Sequence, residues 1–357
     1  MKILLIKLWK NFQWIFIFLR NFHFNSSKSF RVFYGGGFSG NYGGAFVKIK
    51  RLQTYFPPSF LSFNIVYKLS NSIFLSPNII MHLKKRKVPI ILNQNGVFYP
   101  GWYEKNWKKK NQEMAFLYHQ ADYVFWQSNF CKLSADKFLG KRIGPGEILY
   151  NSVDTSFFKP KNKKSKNFKF LITGNINESL NYRIIAAIYA LNIVIKRGYK
   201  FNLLIAGKID KVTLILIKKV INDLGLKNFV KYIGKYNQNN APKVYQSSHV
   251  YVMLKYKDPC PNTVIEAMSC GMPILFSMSG GVPELVDKKC GLGLKVKNSW
   301  KEKKIVPEYD DIANGMIKIY KNYKFMSQNA RQRAVKKFDI EHWISRHEIS
   351  FKKYLNQ

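Results

Sequence analysis

The chain has 357 residues, 46% of them hydrophobic and 16% aromatic, which is material for a core in each of two domains and excludes a disordered or low-complexity chain. Its 59 Lys and Arg against 20 Asp and Glu leave a net charge of +39. That excludes an acidic solvating protein and favours polyanionic neighbours: nucleic acid, anionic lipid headgroups or phosphorylated glycans.

The charge is uneven along the chain. The first acidic residue is Glu104, so residues 1–103 hold 14 basic side chains and no acid. Enrichment in Lys, Asn, Ile and Phe along the whole chain, as in proteins of AT-rich genomes, accounts for the average excess better than for that missing acid. Within residues 1–28, Phe12 to Leu19 form an apolar run, with Lys2, Lys7 and Lys10 before it and Arg20 after it. The run is far too short to span a bilayer, and no small-residue cleavage site follows. It reads either as a basic, aromatic segment lying on an anionic membrane or as an ordinary N-terminal element packed on the core.

Strand-like and helix-like segments then alternate, which predicts an α/β protein with parallel sheets and helices on both faces. In the first half, strands are predicted at Arg31–Tyr34, Asn64–Tyr67, Pro89–Asn93 and Tyr123–Trp126. Helices fill parts of Tyr42–Tyr55, Asn106–Gln120 and Asn129–Leu139. A Lys-rich polar stretch, Lys159 to Lys169, contains Pro160 and lacks apolar periodicity, so it is the candidate linker. The second half predicts strands at Phe168–Thr173, Phe201–Ala206, Phe229–Ile233, Val250–Leu254, Pro273–Ser277 and Gly293–Val296. Its helices are Tyr182–Lys196, Ala241–Ser247, Asn262–Ser269 and Val282–Val286, and an aromatic amphipathic helix follows over Asp339–Tyr354. Two doubly wound, Rossmann-like halves facing across a cleft fit this order, with ligands at the carboxyl ends of strands.

Tyr34 is followed by a run of glycines. Gly35, Gly37 and Gly40 match G-x-G-x-x-G, but a dinucleotide site also wants an acid about 20 residues on, and none occurs before Glu104. The glycines, Gly36 included, read instead as a loop whose backbone can approach a phosphate or sugar. The four cysteines, at 131, 260, 270 and 290, have no metal spacing and read as reduced, mostly buried thiols of a cytosolic protein. There is no D-x-D metal motif, and neither cofactor nor metal is expected.

The strongest pattern is Lys255-Tyr-Lys-Asp-Pro-Cys-Pro-Asn-Thr-Val-Ile-Glu-Ala-Met-Ser-Cys-Gly-Met-Pro273, continued by Gly280-Gly-Val-Pro-Glu284. Pro259 and Pro261 form a rigid turn into a helix that starts near Asn262. The amides of Asn262, Thr263 and Val264, with the helix dipole, make an anion site. Asp258 lies on the turn and Glu266 inside the helix, and Gly280 and Gly281 open a second helix start nearby.

These residues resemble the family 4 glycosyltransferases of GT-B fold. Their pattern is two acids with seven residues between them, then E-A-x-x-x-G-x-P and G-G-x-P-E. Gln127 to Phe138, Asn151-Ser-Val-Asp154 with Phe158 and Pro160, and Gly35 to Gly44 are similar to other segments of that family. The resemblance implies retaining transfer of a sugar from a nucleotide-diphosphate-sugar to a glycan or lipid-linked acceptor. It further implies that Asp258 contacts the donor sugar and Glu266 the ribose. By it, residues 1–155 form an acceptor-side domain, 156–168 a linker and 169–338 the donor domain, with 339–357 a helix packing back on the first domain. The expected setting is cytoplasmic, at the inner face of a membrane if the N-terminal segment docks there, in polysaccharide or lipopolysaccharide synthesis. No specific nucleic acid is expected.

Three features depart from the family pattern. The first acid is Asp, one methylene shorter than Glu. The usual Arg and Lys-Gly pair after the first donor-domain strand is absent, which leaves Arg183, Lys255 and Lys257 as candidate cations for the diphosphate. An expected His is replaced by Asn93-Gln-Asn-Gly96, so that Asn95 could bind a hydroxyl but not act as a base. Two rivals remain at this point: a polyanion-binding protein on a degenerate glycosyltransferase fold, and a GT-B nucleotide-sugar epimerase.

Overall fold

The computed structural model describes residues 29–35, 44–60, 62–71, 75–161 and 167–355. The segment 1–28 and the loop carrying Gly36, Gly37 and Gly40 lie outside the described residues. The chain divides into two compact units. The first takes the described residues up to Tyr150 and from Glu341 onward; the second is Asn151–Ile340.

In the first unit β1 (Val32–Phe33), α1 (Gly44–Tyr55), β2 (Ile65–Leu69), α2 (Pro77–Lys85), β3 (Ile90–Gln94), α3 (Trp107–Gln120), β4 (Tyr123–Trp126), α4 (Asn129–Leu139) and β5 (Gly146–Ile148) follow one another. The strands are parallel and lie in the order β1-β2-β3-β4-β5. Every residue of β2 and β3 is buried, the signature of parallel strands covered on both faces. The Ser128 hydroxyl accepts the Cys131 N–H at 3.0 Å and so caps α4.

The second unit runs β6 (Phe168–Ile176), α5 (Tyr182–Lys196), β7 (Phe201–Ile209), α6 (Lys211–Asp223), β8 (Val230–Tyr232), α7 (Ala241–Gln246), β9 (Val250–Met253), α8 (Asn262–Ser269), β10 (Ile274–Ser277), α9 (Val282–Leu285) and β11 (Gly291–Leu294). Helices α10 (Tyr309–Lys321) and α11 (Tyr323–Phe338) complete it, and α12 (Ile340–Leu355) carries the chain into the first unit. The parallel sheet has the order β11-β10-β9-β6-β7-β8. Counted within the unit this is 3-2-1-4-5-6 read from β8, the doubly wound order, and its direction reverses between β6 and β9. Ile184, Ile188 and Leu191 of α5 pack with Leu203 and Ile205 of β7 and with Ile312 and Met316 of α10 in one core.

Of the segment expected as a linker, Phe158 is buried and residues 156–161 belong to the second unit; residues 162–166 lie outside the described residues. Among the described residues no helix is long and apolar enough to cross a membrane.

Candidate active site

The strand order reverses between β6 and β9, and open α/β sheets bind ligands beyond the carboxyl ends of the strands at such a point. Gly174, near the end of β6, has φ +144°, and a Cβ there would meet Arg183 Nη2 at 2.9 Å. Opposite it in register is Gly207 of β7, where a Cβ would stand 2.0 Å from the Gly174 carbonyl oxygen. Gly174 thus admits the Arg183 guanidinium against bare backbone, and Gly207 leaves room for the Gly174 carbonyl. Arg183 is only 6% exposed, and its Nε has no hydrogen-bond partner among the described residues. Among the described residues no carboxylate pairs with it. The Tyr182 hydroxyl accepts the Tyr256 N–H at 3.0 Å and ties the start of α5 to the segment after β9.

That segment carries the first acid of the motif. Lys255 Nζ is 2.7 Å from Asp258 Oδ2, and Asp258 Oδ1 accepts the Cys260 N–H at 3.3 Å. The Gly281 N–H donates to the Asp258 carbonyl at 2.9 Å, so this amide holds the turn. Gly280 has φ +69°. Lys257 turns elsewhere: its ammonium bonds Asn298 Oδ1 at 2.6 Å and lies 3.6 Å from the centroid of the Trp300 ring.

Pro261 precedes α8 without a side-chain cap. The Val264 N–H is used, donating to the Pro261 carbonyl at 3.1 Å, whereas no described carbonyl accepts from Asn262 or Thr263. Asn262 Oδ1 is likewise buried and unpartnered among the described residues. One turn further on, Glu266 is 5% exposed, and accepts from the Tyr245 hydroxyl at 2.9 Å and from Gln238 Nε2 at 3.0 Å. Burial pushes the Tyr245 phenol well up, so it stays protonated and donates. Helix α9 is a single turn, which weakens the second helix start as an anion site.

The second unit therefore brings Arg183, Lys255, Asp258, Gly280 and Gly281 together around the end of β9, and sets Glu266 on internal donors. Sequence reading missed Gly174, Gly207, Tyr245 and Gln238. The last two lie 21 and 28 residues from Glu266 and carry no motif, so only the fold reveals them.

In the first unit, Asn95 sits in a polar knot at the carboxyl ends of β2, β3 and β4. Its N–H donates to Ser70 Oγ at 2.9 Å, and its Oδ1 accepts from Lys48 Nζ at 3.2 Å and from Gln127 Nε2. Lys48 also bonds Asn93 Oδ1 at 2.9 Å. The Lys68 amine, beside the Gly35 carbonyl that it bonds, is pushed down to about 7 by burial. No group of three or more His, Cys, Asp or Glu side chains able to hold a metal ion occurs among the described residues.

A sequence model of the family described as glycosyl transferases group 1 matches residues 153–336. A probable sucrose-phosphate synthase of Thermosipho melanesiensis is 22% identical over 201 residues, 54% of this chain and 44% of that protein. An N-acetyl-alpha-D-glucosaminyl L-malate synthase of Bacillus anthracis is 23% identical over 143 residues, 38% of this chain and 33% of that protein. The chain thus spans less than half the length of these curated relatives. Among solved structures, Anabaena HepE in complex with UDP superposes with a TM-score of 0.66 at 17% identity, over 86% of this chain and 82% of that one. Sucrose-phosphate synthase of Thermosynechococcus elongatus gives 0.65 at 16% identity, over 87% and 77%. At such identities the likeness is one of fold: two Rossmann-like domains of GT-B type.

Proposed function

Because the chain belongs to the group 1 glycosyl transferases, whose pattern matches residues 153–336, we propose that it moves a sugar from a nucleotide-diphosphate-sugar to a glycan or lipid-linked acceptor with retention. The observation that carries the donor reading is the buried Arg183 guanidinium at the sheet's switch point, which pairs with no carboxylate among the described residues. When the bond from the anomeric carbon to the diphosphate oxygen breaks, negative charge grows on that oxygen. Arg183 would hold the diphosphate there, helped by the Asn262 and Thr263 amides at the positive end of α8. In this reading Arg183 and the helix amides, rather than a divalent ion, meet that charge.

Asp258 would meet the donor sugar, with Lys255 fixing the carboxylate. Glu266 would take the ribose hydroxyls. A carboxylate accepts about four hydrogen bonds, so its hold on Tyr245 and Gln238 is compatible with that task. The complex of HepE with UDP makes a uracil nucleotide the first donor class to try. A lipid-linked or phosphorylated acceptor, in the assembly of a surface polysaccharide or lipopolysaccharide, suits the acid-free first 103 residues.

The test is calorimetric titration of UDP, GDP and ADP, and of their sugar conjugates, with EDTA present. One nucleotide series should bind. Arg183→Met should weaken it about 10- to 100-fold, the loss of a charge-assisted hydrogen bond, and Glu266→Ala should weaken it too. A folded protein that binds none of them, yet binds nucleic acid tightly and in a salt-sensitive manner, would sink this reading in favour of a polyanion-binding protein. Donor turnover without acceptor or transfer would point to an epimerase.

A further inference from the structure

Helix α6 is apolar on two faces. Inward, Ile217 and Val220 join the core that holds Leu203 and Ile205 of β7 and Val230 of β8. Outward, Val212, Ile215 and Leu216 are 59%, 68% and 37% exposed. With Lys219 they occupy positions i, i+3, i+4 and i+7, a single stripe about 10 Å long on the outer surface. A helix already anchored by Ile217 and Val220 gains nothing from three further apolar side chains facing water, and the convex stripe offers no groove for a small ligand.

The charge on α6 and the segments flanking it is predominantly positive. Lys208, Lys211, Lys218, Lys219, Lys227 and Lys231 are all exposed on α6 and the segments flanking it. The acids in this stretch are Asp210, which caps the helix by accepting the Thr213 N–H at 2.8 Å, and Asp223, 3.0 Å from Lys219. An apolar stripe rimmed by lysines on a convex helix is the pattern of an interfacial helix, which sinks its apolar side chains among acyl chains while the ammonium groups meet lipid phosphates. Nucleic acid would use the lysines but leave Ile215 in water. We propose that the outer face of α6 docks the second unit on an anionic lipid surface. This is independent of the glycosyl-transfer reading and of residues 1–28.

The test is co-sedimentation of the full chain with vesicles of phosphatidylcholine containing about 30% phosphatidylglycerol, against pure phosphatidylcholine vesicles. The wild type should bind the anionic vesicles, and the triple variant V212S/I215S/L216S should bind them at least about tenfold more weakly at unchanged thermal midpoint. A polarity-sensitive label on Ile215→Cys should shift to the blue with anionic vesicles; the four native cysteines are buried and leave the label at position 215. Absence of vesicle binding, equal binding by the triple variant, or a label that stays in water would each overturn the proposal. A triple variant that turns an oligomer into a monomer while wild type ignores vesicles would assign the face to a second copy instead. Nucleotide titration of the same variant should be unchanged, which keeps failure here separate from failure of the donor site.

Discussion

Gly280 carries the turn that presents Asp258. A Cβ there would lie 2.4 Å from the Asp258 carbonyl oxygen and 2.8 Å from its nitrogen, and the φ of +69° is one that alanine avoids. The obstruction is backbone and cannot swing away. Gly280→Ala should therefore cost about 1–3 kcal/mol of stability and weaken donor binding by displacing Asp258. Urea unfolding and calorimetry check both, and an unchanged midpoint would contradict the geometry. At this scale the sequence pointed to Asp258, Glu266 and the two glycines through their spacing. It could not rank the three cations. Lys255 is spoken for by Asp258 and Lys257 by Asn298 and Trp300, and only the folded contacts separate them from Arg183.

Helix α12 is held to its sheet by an uncharged histidine. The Trp343 carbonyl can only accept, so His347 Nδ1 carries the proton, and Nε2 accepts from the Tyr67 hydroxyl at 2.9 Å. Burial, with Lys48 nearby, pushes the imidazole down from 6.5 to about 3. Below pH 6.5 the unfolded chain takes up a proton that the folded chain refuses until about pH 3. Stability should thus fall as pH drops through that window, by up to about 1.4 kcal/mol per pH unit from this group. Urea midpoints of wild type and His347→Gln between pH 7 and 4 measure it: the variant should lose this share of the slope, and parallel profiles would refute it. The amphipathic pattern of α12 was legible beforehand. Helix α6 was not, because Lys-Val-Thr-Leu-Ile-Leu-Ile is apolar on nearly every side and shows no clean helical stripe. Strand β5 is three residues long and carries too little pattern to detect.

For the molecule as a whole, the two units predict where a bound nucleotide makes itself felt. Ligand at about 100 times its dissociation constant stabilises the state that binds it by about 2.7 kcal/mol. Hydrogen exchange with a bound nucleotide should slow in Asn151–Ile340, above all at Gly174–Asn177, Lys255–Thr263 and Ser279–Gly281. Protection confined to the residues before Tyr150 would move the donor site to the other unit. The net charge of +39 bears on association rather than on fold, and raising salt should weaken vesicle binding more than nucleotide binding.

The sequence by itself determined the α/β class, the two-part plan, and the Asp258–Glu266 and Gly280–Gly281 pattern. Strand periodicity, proline turns and glycine positions are local properties that a chain carries wherever it folds. Only the tertiary structure decided which strands are neighbours. That set the switch point between β6 and β9, brought Arg183 against Gly174, and gave Glu266 its partners Tyr245 and Gln238. Burial and partner choice depend on residues tens of positions apart, and no local pattern encodes which of several similar lysines or tyrosines arrives at a given carboxylate.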